Sequence, residues 1–143
     1  MLQIRPCSSD DFSGVLILLK QLWPEKSLDP ASLRIAYDRA LASDSQRYIC
    51  ATDGEQVIGF GSLTVNNNLW QEGYLGHVDE LVVDGDFRGR GVGAQLLEHL
   101  IVIAKQRGCR RIELDSGFHR PNAHRFYERH GFENRGYLFS KVL

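Results

Sequence analysis

The sequence has little of what marks a specialised chain. Three cysteines, Cys7, Cys50 and Cys109, are too few and too scattered for a disulfide framework, and no CxxC pair offers a metal knuckle. No charge of one sign predominates. Lys+Arg 17 against Asp+Glu 18 leave a net charge of −1, so no global basic field draws nucleic acid. Long apolar runs are absent too: the longest, Val15–Leu19 and Leu100–Ala104, fall far short of the roughly 20 residues that cross a membrane. The opening MLQIRPCSSDDF lacks the charged-then-apolar order of a secretion signal. Together these point to a reducing cytoplasm, with neither nucleic acid nor membrane as partner. What remains is ordinary, 43% hydrophobic and 24% charged, the balance of a globular protein. No repeat, low-complexity tract or linker divides the chain, so residues 1–143 are expected to form a single domain around one core.

The hydrophobic periods give an order of elements. Leu2–Arg5 alternates as a short strand closed by Pro6. Ser8 and Asp11 have capping-box spacing before a helix carrying Phe12, Val15, Leu16, Leu19 and Trp23, ended by Pro24. Asp29 and Pro30 open a second helix with Leu33, Ala36, Tyr37 and Ala40 on one face. Tyr48–Thr52 and Val57–Val65 flank an Asp53-Gly54 turn and read as a hairpin. Tyr74–Val83 reads as a strand whose apolar end is buried on both faces. After Gly91 the period becomes helical through Gly93, Leu96, Leu97, Leu100, Ile101 and Ala104, with Gly108 as the stop. Arg111–Leu114 is a short strand, Pro121 starts a helix stopped by Gly131, and Tyr137–Val142 reads as a last strand. The predicted class is α/β (α+β), a mixed sheet with helices packed on it.

Chemistry concentrates between Leu81 and Ala94. A buried strand ending Leu81-Val82-Val83 runs into Arg88-Gly89-Arg90-Gly91-Val92-Gly93-Ala94 at the start of a long helix. Glycines let a ligand approach the backbone closely, and the free N–H groups of a helix start attract anions. Arg88 and Arg90 add positive charge, and from Arg88 to Arg111 the only acidic residue is Glu98. A phosphate or pyrophosphate cradle follows. A Walker loop would need Gly-Lys-Ser/Thr, whereas Gly93-Ala94-Gln95 stands here. A dinucleotide fold would carry its glycines after the first strand of a βαβ unit.

Arg88-x-x-Gly91-x-Gly93-Ala94 after that strand resembles the acyl-CoA signature of the GNAT N-acetyltransferase superfamily. Ala123-x-x-Phe126-Tyr127-x-x-x-Gly131-Phe132 resembles its C-terminal signature. Within the superfamily, Gly76–Val83 is similar to glucosamine-6-phosphate and aminoalkylphosphonate N-acetyltransferases, and the tail to the latter. The chain departs from many relatives in carrying Arg120 where they have Asn, with Asn122 nearby. The resemblance implies the acyl-CoA N-acyltransferase fold, a mixed and mostly antiparallel sheet flanked by about four helices. It also implies a homodimer that exchanges or packs its C-terminal strand, and acetyl-CoA as cosubstrate. Leu81, Val82, Val83, Arg88, Gly89, Arg90, Gly91, Val92, Gly93, Ala94, Asn122 and Phe126 would then hold CoA.

The implied reaction is direct transfer of acetyl to the primary amine of a small molecule. The acceptor would bear phosphate or phosphonate, as the resembled enzymes' acceptors do, with Arg120, Arg125 and His119 as anion contacts. Glu80 is favoured as the base and His77 is the alternative relay; a plain ion pair or substrate anchor is the other reading of Glu80. Alternation predicts Asp79 and Glu80 on opposite faces, and Asp79 with His77 supplies too few ligands for a metal site. Tyr127 matches the family's tyrosine beside the CoA sulfur. Cys109 reads as a small buried residue, Arg110-Arg111 as solvated, and His119, His124 and His130 as surface or substrate-loop residues. A non-catalytic acetyl-CoA-binding regulatory module and a protein N-acetyltransferase are the alternatives.

Overall fold

The computed structural model describes residues 1–117 and 120–143. In chain order the elements are β1 (Leu2–Pro6), α1 (Phe12–Leu22), α2 (Pro30–Leu41), β2 (Gln46–Asp53), β3 (Gln56–Asn68), β4 (Gly73–Val83), α3 (Val92–Gln106), β5 (Cys109–Leu114) and α4 (Pro121–Arg129). The strands form one sheet in the order β1-β2-β3-β4-β5. Neighbours are antiparallel except β4 and β5, which are parallel and joined through α3, as a parallel pair requires a crossover.

The helix starts follow their caps. Ser8 N–H donates to Asp11 Oδ2 at 2.7 Å, closing the expected box around one 3-10 turn before α1. The same carboxylate takes two hydrogen bonds from Arg5 at 2.8 and 2.9 Å, which hold its pKa down to about 2 and tie β1 to α1. Asp29 caps α2 by accepting from Ala31 N–H at 3.2 Å.

The sheet is buried on both faces. On one, Leu96, Leu97, Leu100 and Ala104 of α3 pack on Ile49, Ala51, Ile58, Leu63 and Val78, with Phe126 and Tyr127 of α4 at the margin. On the other, Val15, Leu18 and Leu19 of α1 and Tyr37 of α2 cover Phe60 and Val82. Each fully buried large apolar side chain is worth about 1.5–3 kcal/mol. A methyl group on Gly59 would stand 2.8 Å from Leu96 Cδ1, so this glycine lets α3 lie close to the sheet.

Two expectations change. Gly61 lies opposite Leu81 while Leu63 lies opposite Val78, so β4 carries an extra residue facing Ser62, a bulge at Asp79-Glu80. Ser62 hydrogen-bonds Glu80 and Thr64 hydrogen-bonds Asp79. Residues two apart on a strand share a face, so the bulge puts both carboxylates on the α1–α2 side rather than on opposite sides. The second concerns Tyr137–Val142, which forms no strand: a strand needs a ladder of backbone hydrogen bonds, and residues 133–143 belong to none among the described residues. Leu138, Phe139 and Val142 stand exposed.

Candidate active site

The site grows from the place where β4 and β5 part. Their ladder runs from Tyr74–Cys109 to Val78–Leu114, after which β5 ends and β4 continues to Val83. Asp84 N–H donates to Ile58 O at 2.8 Å. Ladder alternation therefore turns the backbone groups of Val82 toward Phe60 and those of Leu81 and Val83 toward the fork. Arg88 Nε closes back on Val83 O at 3.1 Å. Val82 departs from the expected ligand set: its side chain is buried under α1 and its backbone is turned to β3.

The glycine loop borders the fork. Gln21 of α1 fastens its start, donating to Asp84 Oδ2 at 2.9 Å and accepting from Gly85 N–H at 3.0 Å. Gly89 and Gly91 have φ of 76° and 81°, left-handed values that side chains resist. A Cβ at either would meet nothing within 4 Å, so glycine is required by the backbone and not by crowding. Gly91 caps α3 without a side-chain bond. The first N–H groups of α3, from Val92, Gly93 and Ala94, have no intrahelical acceptor and point out of the helix start. The Val92 side chain is buried, so only its backbone serves the cradle. Arg88 and Arg90 are exposed beside it, the Arg90 guanidinium 5.2 Å from the Phe87 ring. These features fit a pyrophosphate. Gly91→Leu is expected to raise the acetyl-CoA Kd at least about tenfold in a folded protein, because left-handed strain of about 1–2 kcal/mol drives the loop out of shape. Calorimetry measures it, and unchanged affinity would place the cofactor elsewhere.

Helix α4 closes one side. A methyl on Gly93 would lie 3.8 Å from the Phe126 ring, and Phe126 packs edge-on to Tyr127 with centroids 5.4 Å apart. Burial pushes the Tyr127 phenol above its ordinary pKa, so it keeps its proton at neutral pH. Among the described residues its hydroxyl has no hydrogen-bond partner. Asn122 accepts from the Arg125 guanidinium at the exposed start of α4, next to Arg120. His124 and His130 bond the carbonyls of Gly117 and Phe126, each at 2.8 Å. The expectation for His119 lies outside the described residues.

Across the sheet lies Glu80. Ser62 Oγ donates to its Oε1 at 2.6 Å and accepts from its N–H at 2.8 Å. Burial raises the Glu80 carboxyl above the usual carboxylate range, against the Ser62 hydrogen bond. Beside it His77 is bonded at Nδ1 to Asp79, 2.8 Å, and at Nε2 to Asp115, 3.1 Å. Those carboxylates, led by Asp79, lift its pKa to about 9. A ring protonated to that pH cannot act as the first acceptor of the amine proton at neutrality, and as a relay it would have to give up one proton while taking another.

The fork is thus flanked by Glu80 on the α1–α2 side and by Tyr127 with the α3 start on the other. Sequence reasoning missed Gln21, Ser62 and Asp115, whose roles depend on register and have no motif. It also missed Ser116, just past β5, whose hydroxyl is buried without a partner among the described residues.

Residues 12–132 match the model of the acetyltransferase (GNAT) family. The chain is 30% identical to an aminoalkylphosphonate N-acetyltransferase of Salmonella typhimurium over 99% of its own length and 91% of the relative's. It is 32% identical to glucosamine 6-phosphate N-acetyltransferase 1 of Dictyostelium discoideum, with the same 99% and 91% coverage. Among solved structures, a transcriptional regulator from Bacillus halodurans superposes with a TM-score of 0.92 at 26% identity, covering 100% of both chains.

Proposed function

The chain belongs to the acetyltransferase (GNAT) family, and on that premise we propose that it moves an acetyl group from acetyl-CoA directly to the primary amine of a small phosphate- or phosphonate-bearing molecule. One observation carries the reading: β4 and β5 part beyond Val78–Leu114 beside a helix start that no side chain caps, where Gly89 and Gly91 hold left-handed conformations. The slot joins the two faces of the sheet. An amine can approach from the Glu80 face while a thioester enters from the α3 face.

Acetyl-CoA supplies the activated acyl group and a thiolate leaving group. The N–H groups of Val92, Gly93 and Ala94, with Arg88 and Arg90, would hold its pyrophosphate. Leu81 and Val83 offer backbone groups to the pantetheine arm and can polarise the acetyl carbonyl, and Gly93 with Phe126 walls the slot. Glu80 takes the proton that the ammonium form of the acceptor must lose, and Tyr127 faces the departing sulfur. The phosphate or phosphonate preference is supported by the acceptors named for the two relatives and by Arg120 and Arg125 at the start of α4. The 1–143 chain acts as one domain, in the cytoplasm. No helix among the described residues is long and apolar enough to cross a membrane. A homodimer is supported by Leu138, Phe139 and Val142, large apolar side chains that stand exposed near the C-terminal end, and by β5 at one edge of the sheet.

A panel of amines assayed for CoA-thiol release from acetyl-CoA tests the proposal. Glucosamine 6-phosphate and short aminoalkylphosphonates are expected to exceed their uncharged analogues in kcat/KM at least about tenfold, or ~1.4 kcal/mol. Equal rates would sink the anion preference. Acetyl-CoA binding with no amine turned over would mark a regulatory module, and release that needs a protein acceptor a protein acetyltransferase.

A further inference from the structure

We propose that His77 is a positioning residue for this reaction: its imidazolium clasps Asp79 on β4 to Asp115 beyond β5 and so sets the fork and the stance of Glu80. The inference rests on reading the fork as the acyl-transfer slot. Both ring nitrogens face carboxylate oxygens, Nδ1 at 2.8 Å and Nε2 at 3.1 Å. An ionised carboxylate can only accept, so both nitrogens must carry hydrogen and the ring must be a cation. The side chains of His77 and Asp79 are each 30% exposed and that of Asp115 51%, so the Asp79 contact is the better shielded of the two.

The position matters as much as the charge. Val78–Leu114 is the last ladder pair, and Asp79 and Asp115 are the next residues on either strand. His77 therefore spans the point where the strands separate. Without a cation there, two carboxylates would face each other across an opening that no backbone hydrogen bond holds. The clasp also braces the bulge. Asp79 is held by His77 and by the Thr64 hydroxyl, leaving its neighbour Glu80 seated on Ser62. A displacement of about 1 Å between reacting groups can cost about 10²-fold in rate, so the fork width is a catalytic quantity.

The carboxylates around His77 favour the cation, and partial burial works against them. β4 contributes Asp79 and Glu80, and the β5 side contributes Asp115 and Glu113, the register partner of His77. β3 contributes the neutral Thr64, and β2 contributes Tyr48, whose hydroxyl is pushed up to about 12 and stays uncharged. The His77 pKa is raised from 6.5 to about 9. A raised folded-state pKa means the clasp contributes fully below about 6.5 and is lost as pH rises through about 9.

The test uses the whole chain with His77→Gln and His77→Arg. Nitrogen NMR of the imidazole in the free protein is expected to show both nitrogens protonated at pH 7.5 and titration near 9; a neutral ring at pH 7.5 overturns the clasp whether or not any amine is acetylated. With an acceptor that the wild type turns over, His77→Gln is expected to lower kcat/KM about 10–100-fold. His77→Arg keeps a fixed cation with two donor edges, so it should recover most of that loss and lack the alkaline decline near pH 9 expected of the wild type. A folded His77→Arg protein as slow as His77→Gln makes His77 a proton carrier and ends the positioning role. Wild-type rates in His77→Gln end it too. Should the wild type acetylate no amine, the proposed function fails, while the NMR titration still decides the clasp.

Discussion

Tyr127→Phe is expected to lower kcat and kcat/KM together by about 10–1,000-fold while the protein stays folded. The substitution removes one hydroxyl and keeps the ring that packs against Phe126 and Phe132, with centroids 5.4 and 5.9 Å away. The hydroxyl has no hydrogen-bond partner among the described residues, so no protein acceptor is left unpaired and stability should fall little. In the proposed reaction its partner arrives with the thioester. A neutral thioester sulfur is a weak acceptor, and a sulfur gaining negative charge is a strong one. The bond therefore strengthens on the way to the transition state, which is the condition for an effect on kcat. Burial that raises the phenol pKa keeps the donor proton in place throughout the working range. It also makes complete transfer to a thiol of pKa ~8.5 unfavourable unless coupled to C–S cleavage, so hydrogen bonding is the larger part of the expected effect. Acetyl-CoA affinity, read by calorimetry, should change far less than turnover. Wild-type turnover in a folded Tyr127→Phe protein, where chemistry limits the rate, would falsify the assignment. A raised KM at unchanged kcat would instead make Tyr127 a binding residue.

The parts of this site differ in how far they could be read from letters alone. The loop was legible because left-handed backbone leaves a visible trace: Gly89 and Gly91 stand where φ is positive. Helix α3 was legible because its buried face repeats every three or four residues. The bulge left a fainter mark. Gly76 and Val78, then Leu81 and Val83, point to the α3 face, and the step of three between Val78 and Leu81 breaks the period of two. Plain alternation passes over that step, and the pairing of Ser62 with Glu80 and of Thr64 with Asp79 shows that the two carboxylates share a face. Asp115 was beyond reach, since it meets His77 from 38 residues away through the parallel register of β4 and β5. The tail failed for a different reason. Alternation in 137–142 describes a segment able to be a strand, but a strand also needs a ladder, and among the described residues it joins none. Local pattern reports what a segment can be; pairing decides what it becomes.

The pH dependence of a Glu80→Gln variant separates a base from an anchor. An alkyl amine of pKa ~10.4 is held about three units, or ~4 kcal/mol, from its nucleophilic form at neutral pH. Glu80 is suited to take that proton because burial raises its carboxyl toward the working range, which brings acceptor and donor closer in basicity. Ser62 steadies the side chain at Oε1, 2.6 Å, and a glutamine oxygen can accept the same bond, so the fold should tolerate the change. Loss of a positioned base is expected to cost about 10²–10⁴-fold in kcat/KM near pH 7. The deficit should shrink as pH climbs toward the amine pKa, since solvent then removes the proton that Glu80 would have taken. On the acid side the wild type should lose activity as pH falls through the raised carboxyl pKa, and the variant should lack that limb because an amide does not titrate. His77 lies on the same face, and its charge draws the Glu80 pKa down, so the limb in His77→Gln should move to higher pH. A deficit of equal size at every pH would mean that Glu80 anchors the ammonium by charge, and an acid limb persisting in Glu80→Gln would assign the base to another group.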